Sequence, residues 1–426
     1  MGTALPTSAV LERSRLVRLA GRYSLTAAGP IAVSGAHFAA SLIFLHKLPP
    51  AQFGLFSFLL VVVPFALSIS SGLLGAPLLS AVGRTDAMAG AKRAAFREVN
   101  RLYCAFAGIA TAALMYFSNA GITCALLLGL YGAAMTFRWF SRYSAYNCDR
   151  PMRAAASDLV YSAVLMTGLF VLLVGGHLSL RRTSDVLLVS ALLGLLPFGW
   201  EFLKAELRRP PAGVLSVYGP IWRDMTRWSL LGVVLSEMTA NAHAYLVTFI
   251  SGTHVFAVLA VGSLMMRPLS LVLSALPDRE RPAIAHCLVK GDVKGALRIV
   301  VEFRAAAAAM WIGTVALSAA ILFWFPKLII KEGFDPHSVM MVTAIWTLIV
   351  AARAVRAPEN AFLIAAGEFH PLARAGLTGS VVSLVGTLAL LLAVGPIESL
   401  FGILAGEIAM TFRIMALMRQ WRRAHG

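Results

Sequence analysis

Long runs of apolar residues recur along nearly the whole chain, separated by short polar gaps. The runs are continuous rather than alternating, which is the pattern of membrane-crossing helices and not of barrel strands. About 20 apolar residues carry a helix across roughly 30 Å of hydrocarbon, and a helix satisfies its own backbone there. Spans are expected near Ser24–Leu45, Gln52–Leu79, Leu102–Phe117, Gly121–Phe140, Ala154–Val174 and Thr183–Leu203. A second set is expected near Ser229–Ser251, Val255–Leu276, Ala305–Phe325, Val339–Ala365, Ala375–Val394 and Ile397–Leu417. The fold class read from this pattern is an all-α polytopic membrane protein with twelve transmembrane helices.

The gaps orient the spans. Arg13, Arg15, Arg18 and Arg22 precede the first, and Arg84, Lys92, Arg93, Arg97 and Arg101 fill the second gap. Basic residues crowd every second gap thereafter, whereas the alternate gaps hold only Lys47, then Arg181 with Arg182, then Lys327 with Lys331. By the positive-inside rule both termini are expected in the cytoplasm. This asymmetry explains most of the formal net charge of +17 without invoking a nucleic-acid partner. The predicted organisation is an N-terminal segment (1–23), a six-helix bundle (24–203), a basic linker (204–228) containing Pro210 and Pro211, a second six-helix bundle (229–418) and a basic tail (419–426).

Composition agrees with this reading. A chain of 426 residues with 59% hydrophobic and 13% charged positions and a mean hydropathy of +0.78 is not a water-soluble globule. The cysteines, Cys104, Cys124, Cys148 and Cys287, show no metal-ligand spacing and no disulfide framework. No glycine-rich phosphate loop is present, so the chain itself is not expected to use ATP, and no cofactor or metal is expected. The outward gaps are too short for the domain that a membrane glycan polymerase or ligase needs. The sequence therefore points to movement through the bilayer rather than to an enzyme.

The two halves carry matching landmarks in the same order. Gly35-Ala36-His37 corresponds to Asn241-Ala242-His243, and Phe53–Ser57 to Phe256–Ala260. Arg138 with Arg142, followed by Asp149-Arg150-Pro151, corresponds to Arg353 with Arg356, followed by Glu368-Phe369-His370-Pro371. Six spans per repeat give both halves the same orientation, related by an axis along the membrane normal. Such pairs place a pathway between bundles and provide alternating access by rocking.

The stretch Ser24–Leu79 resembles the polysaccharide biosynthesis (O-antigen flippase) family. The resemblance lies in the small-residue-rich first span, the turn Lys47-Leu48-Pro49-Pro50, the segment Gln52-Phe53-Gly54-Leu55-Phe56-Ser57, and Ser70–Leu78. Further similarity occurs at Trp228–Arg267 and Ala366–Arg374. It implies a place in the multidrug/oligosaccharidyl-lipid/polysaccharide (MOP) exporter superfamily, with two pseudo-symmetric six-helix bundles around a central cavity. It further implies a bacterial inner-membrane protein that moves undecaprenyl-diphosphate-linked oligosaccharide, with polysaccharide polymerase and export proteins as partners. The chain lacks the two additional spans expected of a typical lipid II flippase.

Such a cargo needs cations for its diphosphate, polar and aromatic groups for its sugars, and an ion-coupling group. Charges at membrane depth cost about 2.5–3.5 kcal/mol on insertion scales, which makes them functional candidates. Arg267 is the first, placed mid-span before the kink-prone Pro268, with an ion pair to Glu237 as its structural alternative. Arg138, Arg142, Arg353 and Arg356 are candidates for gathering the anionic head group, with snorkelling to lipid phosphates as the alternative. Glu237, Asn241, Tyr245 and Thr248 form a polar stripe on the seventh span. Of these, Asn241 and Tyr245 are assigned to substrate, as is His37, while Glu237 and His243 are assigned to ion coupling. Glu407 reads as a packing residue, and Glu359 beside Asn360 stays ambiguous. A drug or organic-cation antiporter of the same superfamily is the competing reading, and it calls for a more acidic and aromatic cavity.

Overall fold

A computed structural model describes residues 29–75, 77–78, 88–148, 150–208, 213–330 and 334–425. Arg13, Arg15, Arg18, Arg22, Arg84, Asp149, Arg209, Pro210, Pro211 and Lys331 lie outside them. Every regular element among the described residues is helical. Among the described residues nine helices are long and apolar enough to cross a membrane, or ten when one sharply bent pair counts as a single span. Multi-pass membrane embedding follows.

The helices are α1 (Gly29–Lys47), α2 (Pro50–Ser70, continued by a π-turn over Ser71–Gly75), α3 (Ala89–Phe117), α4 (Ile122–Asn147) and α5 (Pro151–Val174). Then come α6 (Leu180–Leu193), α7 (Trp200–Leu207), α8 (Leu215–Ile221), α9 (Arg227–Ile250), α10 (Thr253–Met265) and α11 (Arg267–Val289). The last four are α12 (Val293–Trp324), α13 (Pro336–Ala365), α14 (Phe369–Ala393) and α15 (Leu400–His425).

The described parts of the expected spans fall on helix, but not all twelve qualify as crossings: the third, on α3, is not among the helices long and apolar enough, and the sixth and eighth differ in kind. The sixth was read as continuous. Instead, α6 runs through a 3₁₀ turn at Leu196–Phe198 and turns by 107° into α7. Gly199 makes that corner at φ 89°, a conformation that glycine adopts without a Cβ clash. The eighth expected span is two helices. α10 ends at Met266, and α11 starts at Arg267 with Pro268 in its first turn. Proline is well placed there because the first amides of a helix have no intrahelical partner. Elsewhere, helix extends beyond the apolar run. α3 begins 13 residues before the expected third span and includes Lys92, Arg93, Arg97 and Arg101. Helical structure is likewise continuous from Leu215 to Ile250, so part of the expected linker extends the seventh span.

By spatial proximity the described residues fall into two compact units, one within 1–40, 66–116 and 121–229, the other within 41–65, 117–120 and 230–426. α1 and α2 are each shared between the units.

In the first unit α3 and α4 meet through small residues. A Cβ on Gly129 would lie 2.7 Å from both the Ala112 Cβ and the Gly108 carbonyl oxygen. This is how helices approach in lipid, where packing rather than water exclusion drives association. Around the Leu74, Phe96, Phe140 and Tyr218 core, the Tyr218 hydroxyl donates to the Leu73 carbonyl at 2.6 Å. The outward faces are apolar: Phe106, Ile109, Phe170 and Val171 are exposed while Ser157, Asp158 and Thr136 are buried. That inversion suits a lipid surround.

In the second unit α14 and α15 form the closest pair. A Cβ on Gly402 would fall 2.1 Å from the Thr387 amide nitrogen, and one on Gly406 2.5 Å from the Ser383 Cβ. Asp335 caps α13, accepting from the Ser338 amide at 2.8 Å and hydroxyl at 2.7 Å. Those two donors hold its carboxyl below the usual carboxylate range. Asp292 caps α12 through the Gly295 amide at 2.8 Å.

Candidate functional site

The break between α10 and α11 positions the central group of the second unit. Arg267 lies at the first residue of α11, and its Nη1 donates to the Ser41 hydroxyl of α1 at 3.3 Å. It has no carboxylate partner among the described residues. The ion pair with Glu237 that the sequence left open does not form: Glu237 instead accepts from the Asn241 amide at 2.7 Å, one turn along α9. Arg267, Asn241 and His243 line a single pocket with Ser41, Ser57, Ser263 and Trp346, a partly open cavity of about 80 Å³. Trp346 is held by its indole N–H, which donates to the Leu259 carbonyl at 3.1 Å. His243 stands edge-on to that ring, centroids 5.3 Å apart, and its Nδ1 is buried without a hydrogen bond. Three of the residues singled out in sequence thus share one cavity, cationic on one wall and aromatic on another.

Tyr245 lies apart from that lining. Its ring packs edge-on against Phe58 and Phe65, at 5.4 and 6.1 Å between centroids, and its hydroxyl has no hydrogen-bond partner among the described residues. The Thr248 hydroxyl is similarly unpaired. Thr239, on an adjoining turn, is used for packing: its hydroxyl meets that of Ser380, and Ser383 donates to the Thr239 carbonyl.

The arginine pairs are ion-paired in the interior rather than extended towards a surface. Arg138 and Arg142, one turn apart on α4, grip Asp158 of α5 at 2.8 and 3.2 Å. Arg353 and Arg356 of α13 converge on Glu407 of α15, Arg353 Nε donating at 2.7 Å. Asp158 is 0% and Glu407 1% exposed. Each unit therefore holds, among its described residues, a cluster of two guanidiniums around one buried carboxylate, and Arg353 also lies within the electrostatic reach of Glu237. A separate pair joins Arg304 of α12 to Glu359 of α13.

His37 joins the first unit's cluster. Its Nε2 lies 2.7 Å from the Tyr161 hydroxyl, which is 2.8 Å from that of Tyr131. The Arg138 guanidinium lies 4.5 Å above the Tyr161 ring. Sequence reasoning missed Asp158, Tyr131 and Tyr161 and read Glu407 as packing alone. Asp158 had a signal: it is a lone carboxylate within the apolar fifth span, and an intramembrane charge is a functional candidate, as Arg267 was.

An inward-facing multidrug-resistance MATE-family transporter of the MOP superfamily shares this fold, with a TM-score of 0.70 at 13% identity over 92% of this chain and 95% of the other. Lipid II flippase MurJ in an inward closed conformation gives 0.71 at 11% identity, covering 93% and 87%. The fold is that of the MOP-superfamily transporters. A third MOP-superfamily transporter, from Pyrococcus furiosus and described by the reverse polarity of its binding pocket, matches at 0.57 and 14% identity over 94% of both chains. These are transporters, not enzymes, and at such identities the likeness is one of fold. No protein-family model and no curated protein matches the sequence.

Proposed function

We propose that this protein moves undecaprenyl-diphosphate-linked oligosaccharide across the bacterial inner membrane by alternating access driven by an ion gradient, serving assembly of O-antigen, capsule or exopolysaccharide. The observation that carries this reading is Arg267, a guanidinium within an apolar run that hydrogen-bonds to a hydroxyl, has no carboxylate partner among the described residues, and lines a pocket with Asn241, His243 and Trp346. A diphosphate accepts charge-assisted hydrogen bonds from such a group, while the amide, hydroxyls and indole ring suit sugar. Arg138, Arg142, Arg353 and Arg356 supply further positive charge, His37 and Tyr245 add polar contacts for the cargo, and Glu237 with His243 serve as the coupling groups. Twelve spans, two six-helix bundles, cytoplasmic termini and glycan polymerase or export partners complete the proposal.

The likeness to multidrug MATE transporters supports a second reading, antiport of an organic cation. A pocket presenting an uncompensated arginine repels such a cargo, which favours the lipid-linked anion. The deciding experiment is reconstitution. Wild-type protein is expected to translocate lipid-linked oligosaccharide but not a cationic dye, and Arg267→Ala or Arg267→Lys is expected to slow translocation at least tenfold at equal insertion. Full activity in both variants would remove the diphosphate assignment.

A further inference from the structure

We propose that the second unit binds the phosphate of an anionic phospholipid at a separate site formed by Arg304, Arg419 and Arg422. These three arginines line one open pocket of about 140 Å³ with Glu359, Met415 and Met418. Glu359 is the sole acid of that lining, and Arg304 engages it through Nε at 2.7 Å and through Nη2. The carboxylate is 2% exposed and has its second oxygen unpaired. Arg419 and Arg422 are exposed and have no acidic partner among the described residues. Two positive charges are therefore left facing the pocket. Arginine presents a planar fork of N–H groups that matches phosphate oxygens, and a basic pocket between helix ends is a recurrent setting for a lipid head group.

The face of α15 below the pocket identifies the source of that phosphate. Ile408, Phe412, Met415, Arg419 and Arg422 follow one another at steps of four, three, four and three, so they share one helix face. Ile408 is 41% and Phe412 66% exposed. From Ile408 to Arg419 the helix rises about 16 Å, close to half of the roughly 30 Å hydrocarbon thickness. An acyl chain lying on the apolar part of this stripe reaches the arginines with its own phosphate. A free phosphate has no use for the stripe. Met415 and Met418 offer the adaptable apolar wall that a flexible chain packs against.

The test uses full-length protein in nanodiscs of phosphatidylcholine with increasing phosphatidylglycerol, reading lipid retention by native mass spectrometry and the melting temperature. Wild-type protein is expected to retain phosphatidylglycerol and to melt higher as its fraction rises. Arg419→Gln with Arg422→Gln is expected to weaken retention by about fivefold or more, whereas Arg423→Gln, outside the pocket lining, is expected to leave it unchanged. Phe412→Ser is expected to weaken retention of phosphatidylglycerol while leaving any binding of inorganic phosphate intact. Equal retention by the double variant, equal loss in Arg423→Gln, or displacement of the lipid by millimolar inorganic phosphate would each overturn the proposal. These readouts do not involve translocation, so they stand or fall apart from the cargo assigned to Arg267.

Discussion

Burying a carboxylate costs several kcal/mol unless cations and hydrogen bonds surround it. Asp158 meets that condition through Arg138 and Arg142, and the cluster is bound to its surroundings by the Tyr161 ring and the His37 imidazole. Asp158→Asn keeps the shape but leaves two interior guanidiniums without a counter-charge. It is expected to destabilise the protein by ~3–5 kcal/mol, read as a lowered melting temperature in detergent, and an unchanged melt would show that the pair of arginines is compensated in another way. The arginines themselves were legible because charge within an apolar run stands out. Their partners were not, since Arg138 and Asp158 are 20 residues apart and Arg356 and Glu407 51 apart. Hydropathy marks the depth of each group but not the neighbour it faces.

Helix by helix, apolar length predicted location well and continuity poorly. The break before Arg267 and the corner at Gly199 fall inside runs that hydropathy alone reads as single spans. A run of apolar residues specifies that a segment can lie in lipid, and a bent segment buried against protein satisfies that condition equally. Glycines were similarly silent until helices were paired. Gly402 and Gly406 let α15 approach α14 so closely that a side chain at position 402 meets backbone. Gly402→Val is expected to cost at least the roughly 1–3 kcal/mol of an overpacked interior, seen as loss of the monodisperse folded peak after solubilisation. Gly313→Val, where no neighbouring atom lies within 4 Å of the added Cβ, is expected to be neutral by the same readout. Equal tolerance at both positions would contradict the packing argument.

For the molecule as a whole, the fold is shared with MATE and MurJ transporters, while orientation rests on the distribution of basic gaps alone. By the positive-inside rule the end of α15 is expected in the cytoplasm and the short connection after α3 outside. After Cys104, Cys124, Cys148 and Cys287 are replaced by serine, a membrane-impermeant thiol reagent added outside intact cells is expected to label Ala120→Cys and not His425→Cys. The reverse pattern would invert the topology and with it the direction of transport. Membrane class and the approximate place of most helices followed from the order of amino acids, because the cost of placing charge or unpaired backbone in hydrocarbon is large and local. Tertiary structure alone decided that Asn241, His243 and Arg267 share one pocket, that Asp158 and Glu407 each hold two arginines, and that Ser41 meets Arg267. Those outcomes depend on which helix faces meet across distant parts of the chain, and in lipid that choice is made by close packing and interior polar contacts rather than by hydrophobicity.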